Sequence, residues 1–190
     1  MDLPPLANDV LDFWFGPPPL ARREAWFRKD AAFDATIRAR FAAAIAAARA
    51  GANGDWCTTP HGALARILLL DQFTRNAYRN TAEAFSGDAR ALATAEDALA
   101  RGFDLALQPI ERHFMYMPFE HAEDPEAQKR SLALFGALSA EPGCADLIDW
   151  AQRNADLIRR FGRYPHRNAL LGRASTPEET EYLKTPGAGF

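Results

Sequence analysis

The chain is predicted to be all-α. Three observations carry that expectation. Alanine is abundant and valine nearly absent, with β-branched residues scattered, a composition that favours helix over strand. Apolar residues recur every third or fourth position. Several segments open on a cap residue or proline and close on glycine, as helices do.

Each element follows in order. A first helix runs roughly over 7–15 and is stopped by Gly16-Pro17-Pro18-Pro19, a rigid linker. Asp30 caps a long second helix ending at Gly51, with Phe33, Ile37, Phe41 and Ile45 on one face. Thr59-Pro60 opens a third, whose buried stripe is Leu64, Ile67, Leu68 and Phe73. Asp88 opens a fourth that closes at Gly102. Gln108-Pro109 opens a fifth, which Pro118 should end or kink because proline removes a backbone donor. Asp124-Pro125 starts a sixth, reaching about Leu138. The seventh carries Leu147, Trp150, Ile158 and Phe161 and ends at Gly162. Thr176-Pro177-Glu178-Glu179 is a capping box for a last short helix. Phe13-Trp14-Phe15 cannot all face one side of a helix, so at least one lies at an edge, lining a pocket or a partner surface.

Helices of this length joined by short turns suit an α-solenoid or an irregular bundle. No unit recurs with the period of roughly 34 residues that tetratricopeptide repeats show. The expectation is one domain over 1–190, with 162–176 as a turn-rich basic segment packing back on the helices.

Composition excludes several function classes. A net charge of −3 argues against a broad nucleic-acid surface, which needs a basic face to neutralise phosphates. The longest apolar run, Phe41 to Ala48, is far short of the ~18 residues needed to span a bilayer. Met1-Asp2-Leu3-Pro4-Pro5 has neither the basic nor the apolar part of a secretory signal. A cytoplasmic protein with reduced Cys57 and Cys144 is expected. Metal binding has only two candidate groupings, Cys57 with His61 and His113 with His121. Neither has paired ligand spacing, so no metal and no cofactor are expected.

The segment 159–173 holds five arginines and no carboxylate, leaving −8 on the remainder of the chain. Gly162 and Gly172 allow sharp turns, and Pro165 fixes the turn between them. Arg163, His166, Arg167, Asn168 and Arg173 then form a donor cluster suited to a carboxylate or phosphate. Equally, the arginines could neutralise acidic residues of the body, Asp71, Glu120 and Asp124 among them, and lock the segment on.

Val10-Leu11-Asp12-Phe13-Trp14-Phe15-Gly16, Asp71-Gln72-Phe73-Thr74-Arg75-Asn76, Pro118-Phe119-Glu120-His121-Ala122-Glu123 and the stretch 160–179 closely resemble the bacterial family known as domain of unknown function number 924. The resemblance covers almost the whole chain, from about Val10 to Phe190. It implies a tetratricopeptide-like helical fold without clear sequence repeats, an array of antiparallel helix pairs, and it implies no activity. Thr74 departs from the family pattern, where proline is expected before Arg75-Asn76; only the local turn is affected.

Two further groups could carry chemistry. Asp71 and Arg75 lie four apart on a helix and can pair, either as a structural tie or with Asp71 orienting an imidazole or guanidinium. Glu120 and His121 set a carboxylate beside an imidazole, which suits acid–base chemistry and equally suits a satisfied structural histidine. The leading expectation is a binding module whose groove, lined by Arg75, Asn76, His121, Arg163, His166, Arg167, Asn168 and Arg173, holds a small anionic ligand or acidic peptide. The rival is an enzyme with hydrolase-like acid–base chemistry at Glu120 and His121, assisted by Asp71, with Arg75 or Arg167 holding an anionic substrate. The segment 160–176 is expected to reach the helix ends at 71–76 and 120–121.

Overall fold

In the computed structural model residues 3–188 are described, and every regular element among them is helical. The α-helices are α1 (Pro5–Phe15), α2 (Ala31–Arg49), α3 (Pro60–Leu68), α4 (Thr74–Ala77), α5 (Asp88–Ala100), α6 (Pro109–His121), α7 (Pro125–Leu138), α8 (Leu147–Phe161) and α9 (Pro177–Tyr182). The caps legible in the sequence are used. Asp30 accepts from the amides of Ala32 and Phe33, Thr59 from Gly62, Asp124 from Ala127, and Thr176 with Glu179 closes a full capping box.

Two compact units divide the chain: Met1–Arg79 with Glu83–Pro118, and Asn80–Ala82 with Phe119–Phe190. The first is built round an aromatic cluster. Trp14 stacks on Trp26 at 5.9 Å and meets Phe114 edge-on at 5.3 Å, while Phe41 and Phe73 lie 4.9 Å apart. Ile37, Ile45, Leu64, Ile67 and Leu68 are fully buried beside them. Of the three consecutive aromatics, Phe13 is half-buried, whereas Trp14 and Phe15 are buried. In the second unit α7 and α8 pack together. Tyr164 joins Leu157 and Ile158 in the core, with Phe161 and Tyr182 against it. Gly162 ends α8 at φ 69°, a left-handed conformation that a Cβ would oppose.

The structure departs from sequence expectation in two helices. Residues 60–77 form one continuous helix widened by a π-turn at Leu69–Phe73, which periodicity did not reveal. The Thr74 amide donates to Leu69 O, five residues back, and the Thr74 hydroxyl donates to the same oxygen at 2.8 Å. This is the position where the family pattern expects proline. Pro118 neither ends nor separates α6, which runs through it to His121. One missing donor is tolerated because Phe119 and Glu120, just beyond it, are buried and tertiary packing outweighs local propensity.

Candidate functional site

Asp71 is fully buried in the π-turn. The Arg75 guanidinium donates to Asp71 Oδ1 at 2.8 Å and to Asp88 at 2.8 and 3.0 Å, a two-pronged grip on the first turn of α5. Gln72 Nε2 also donates to Asp71. Asn76 donates to Asp34 Oδ1 at 2.7 Å, and Arg79 takes both oxygens of that carboxylate, tying α2 to the end of the 60–77 helix. Burial alone would raise the Asp34 pKa, but the Arg79 and Asn76 hydrogen bonds and the Arg79 charge hold it below the usual range. Arg75 and Asn76 therefore both spend donors on carboxylates of the chain itself.

In the second unit the arginine-rich segment folds back on two carboxylates. Glu123 receives Arg173 through both Nη atoms and the Tyr164 amide at 2.8 Å. Burial would raise the Glu123 pKa; the Arg173 hydrogen bond and the Tyr164 amide outweigh it and lower it. Glu179 receives Arg163 Nε at 2.6 Å and Nη2 at 2.8 Å, the Thr176 amide at 2.7 Å and Asn168 Nδ2 at 3.3 Å. The Arg163 hydrogen bond, followed by the Thr176 amide and the Arg163 charge, takes its pKa down to about 2 against burial. Arg173 Nε donates to Asn168 Oδ1 at 3.0 Å, joining the two carboxylate centres.

The same segment reaches the end of α6 through Tyr164. The Tyr164 hydroxyl donates to Glu120 O, and Gln128 Nε2 donates to Phe119, Glu120 and Ala122 carbonyls. The Glu120 side chain is buried and accepts from Asn154 at 2.6 Å, while His121 is half-buried. Arg167 is buried, with its guanidinium 4.4 Å over the Tyr164 ring. Burial, and then the neighbouring Arg167 charge, pushes His166 down to about 4. Asp124 caps α7. Asp71, Arg75 and Asn76 belong to the first unit, and Glu120, His121 and the arginine-rich segment to the second.

A site that the sequence reading missed lies in the first unit. A cleft of about 480 Å³ is lined by apolar Leu11, Phe15, Pro18 and Leu20 and by polar Asp12, His61 and Glu111, among others. His61 Nε2 is 3.2 Å from Glu111 Oε1; the carboxylate is buried and the imidazole half-exposed. Glu111 Oε2 accepts the Gln108 amide at 2.8 Å, which fixes its orientation at the start of α6. The Glu111 hydrogen bond raises the His61 pKa against the opposing effect of burial. Glu111 was findable as an N3 acidic residue after Gln108-Pro109. Its reach to His61 was not, because no local spacing connects them. Of the Phe13–Phe15 run, Phe15 lines this cleft although it is buried, and Phe13 is the half-buried member. Cys57 and His61 are not joined as a ligand pair: Cys57 faces Arg66 and His61 faces Glu111. Among the described residues no group of three His, Cys, Asp or Glu side chains gathers for a metal ion, and no helix is long and apolar enough to cross a membrane.

These elements define an all-helical protein with a small-molecule-sized cleft. The chain matches, over residues 10–187, the family described as bacterial protein of unknown function, DUF924, and belongs to it. It is similar to a solved structure of a protein of unknown function from Agrobacterium tumefaciens. The identity is 41%, the alignment covers 96% of this chain and 99% of that one, and the TM-score is 0.86. No curated protein matches the chain.

Proposed function

We propose that the protein is a binding module for a small organic molecule with a hydrocarbon body and a cationic or hydrogen-bond-donating head. The carrying observation is the His61–Glu111 pair in the lining of a cleft of about 480 Å³ that also holds Leu11, Phe15, Pro18 and Leu20. Clefts of this size with a few convergent polar groups are the usual form of ligand sites. Leu11, Phe15, Pro18 and Leu20 receive the body; Asp12 and the half-exposed His61, held by Glu111, receive the head. No lysine or arginine is among the described residues lining the cleft, which favours a cation over an anion. An anion on the arginine-rich segment is less favoured, because Arg163 and Arg173 already face Glu179 and Glu123. An incoming anion would have to displace a carboxylate held there.

Melting the purified protein with a series of alkylamines and the matching alcohols tests this reading. A ligand at a hundred times its Kd stabilises by about 2.7 kcal/mol, a rise in Tm on the order of 5–10 °C for a chain of this size. Leu20→Trp, which fills the cleft, should abolish the rise. If no compound raises Tm, or if Leu20→Trp responds like the parent, the reading fails.

A further inference from the structure

A second cavity, of about 290 Å³, lies in the first unit beside the 3-10 turn Gly54–Thr58, with Cys57, Arg66, Arg90, Thr94 and Asp97 in its walls. Arg66 enters it from α3 and Arg90 from α5. Arg66 Nη1 donates to Thr94 Oγ1 at 2.8 Å and lies 3.8 Å from Cys57 Sγ. Its Nε is buried and has no hydrogen-bond acceptor among the described residues. Thr94 gives its own hydroxyl proton to Arg90 O at 2.7 Å. The acceptors offered to Arg66 are thus a hydroxyl and a thiol, neither of which supplies negative charge. Burial pushes the Cys57 thiol up, so it stays protonated.

The Arg90 guanidinium lies over Gly51, with Nη1 3.3 Å from where a Cβ there would stand. Neither Arg66 nor Arg90 makes an ion pair among the described residues. Asp97, the carboxylate of the wall, faces Arg101 at 3.4 Å. Arg66 is half-buried, with its Nε cut off from both water and an acceptor, and Arg90 is exposed; neither has a counter-charge. Elsewhere in this chain Arg75, Arg79, Arg163 and Arg173 are each met by a carboxylate. Arg66 and Arg90 differ from them in facing a cavity.

We infer that this cavity is an oxyanion site, taking free phosphate or the phosphate group of a monoester, with the Arg66 and Arg90 guanidinium groups as donors. Guanidinium N–H groups match the oxygens of such an anion, and a tetrahedral anion offers acceptors in several directions at once. The site is separate from the cleft at His61 and does not depend on the ligand proposed there.

Cys57 in the cavity wall reports occupancy. The rate at which iodoacetamide alkylates Cys57 in the full chain is followed by peptide mass, in inorganic phosphate and in sodium chloride of equal ionic strength. Phosphate should slow the reaction saturably and chloride should not. Arg90→Gln, a surface change, should raise the half-saturating phosphate concentration about tenfold; Arg66→Met should remove saturation. If Arg66→Met does not fold, Arg90→Gln decides alone. Glucose 6-phosphate protecting at lower concentration than phosphate identifies the monoester as the ligand; equal or weaker protection identifies free phosphate. Equal rates in phosphate and chloride, or protection unaltered by Arg90→Gln, would overturn the assignment.

Discussion

Glu179 gathers Arg163, Asn168 and the Thr176 amide on one carboxylate, and this sets its response to acid. Its ordinary value is 4.5 and its folded value about 2, so between these the unfolded chain binds more protons. The stability it contributes is complete above about pH 4.5 and lost as pH falls towards 2. Glu179→Gln should flatten that part of a urea-midpoint profile. His61 and His166 act in opposite windows. His61 is raised above 6.5 by Glu111, so its contribution is full below that pH and lost as pH rises through the folded value. His166 is lowered from 6.5 to about 4 by burial, so its contribution is full above 6.5 and lost on the way down to 4. NMR titration of the two imidazoles should place them on opposite sides of 6.5, and both titrating together would refute the assignment. Arg173→Met leaves Glu123 part-buried without its two-pronged partner and should cost about 2 kcal/mol, read from urea denaturation.

At the scale of elements, the 60–77 helix is the most informative. Thr74 is fully buried and holds Leu69 O through both amide and hydroxyl. Thr74→Val keeps the shape and the amide but loses the hydroxyl, and should cost about 1 kcal/mol; no change in the urea midpoint would show that the amide suffices. The helix itself was legible, because Thr59-Pro60 starts it and Leu64, Ile67 and Leu68 mark its face. The π-turn was not, since a single widened turn alters the backbone pairing without changing the apolar stripe. Pro118, expected to end or kink α6, does not end it, for a related reason. Its local cost is visible in the sequence, whereas the burial of Phe119 and Glu120 that offsets it is not. Charge alone left two readings of the arginine-rich segment open, a site for an anion and pairing with carboxylates of the body. Its principal partners Glu123 and Glu179 were not legible, because pairing between distant positions follows from the completed fold.

For the molecule as a whole, deletion of 184–190 removes only residues beyond α9 and should leave the melting of the second unit unchanged. Deletion from 162 onward removes Tyr164, Arg173 and Glu179 together. It should expose the α7–α8 surface and lower Tm by more than 10 °C, on the basis of about 2–4 °C per kcal/mol. A longer truncation that melts like the intact chain would make the segment an independent arm. The His61–Glu111 cleft was invisible at this scale in the sequence, because it draws on α1, the Thr59 turn and α6, segments whose proximity only the fold establishes.

The clasp at Glu123 also has a consequence in time. The carboxylate emerges from the ribosome well before Tyr164 and Arg173, its partners 41 and 50 positions further along the chain. At about 5–20 residues per second, the nascent chain carries Glu123 for several seconds before the group that neutralises it exists. Glu179 reverses the order, arriving after Arg163 and Asn168. During synthesis the second unit is therefore first an acidic helix pair seeking cations and then a basic segment seeking an acid. That interval is when a chaperone or a stray polycation would find it open.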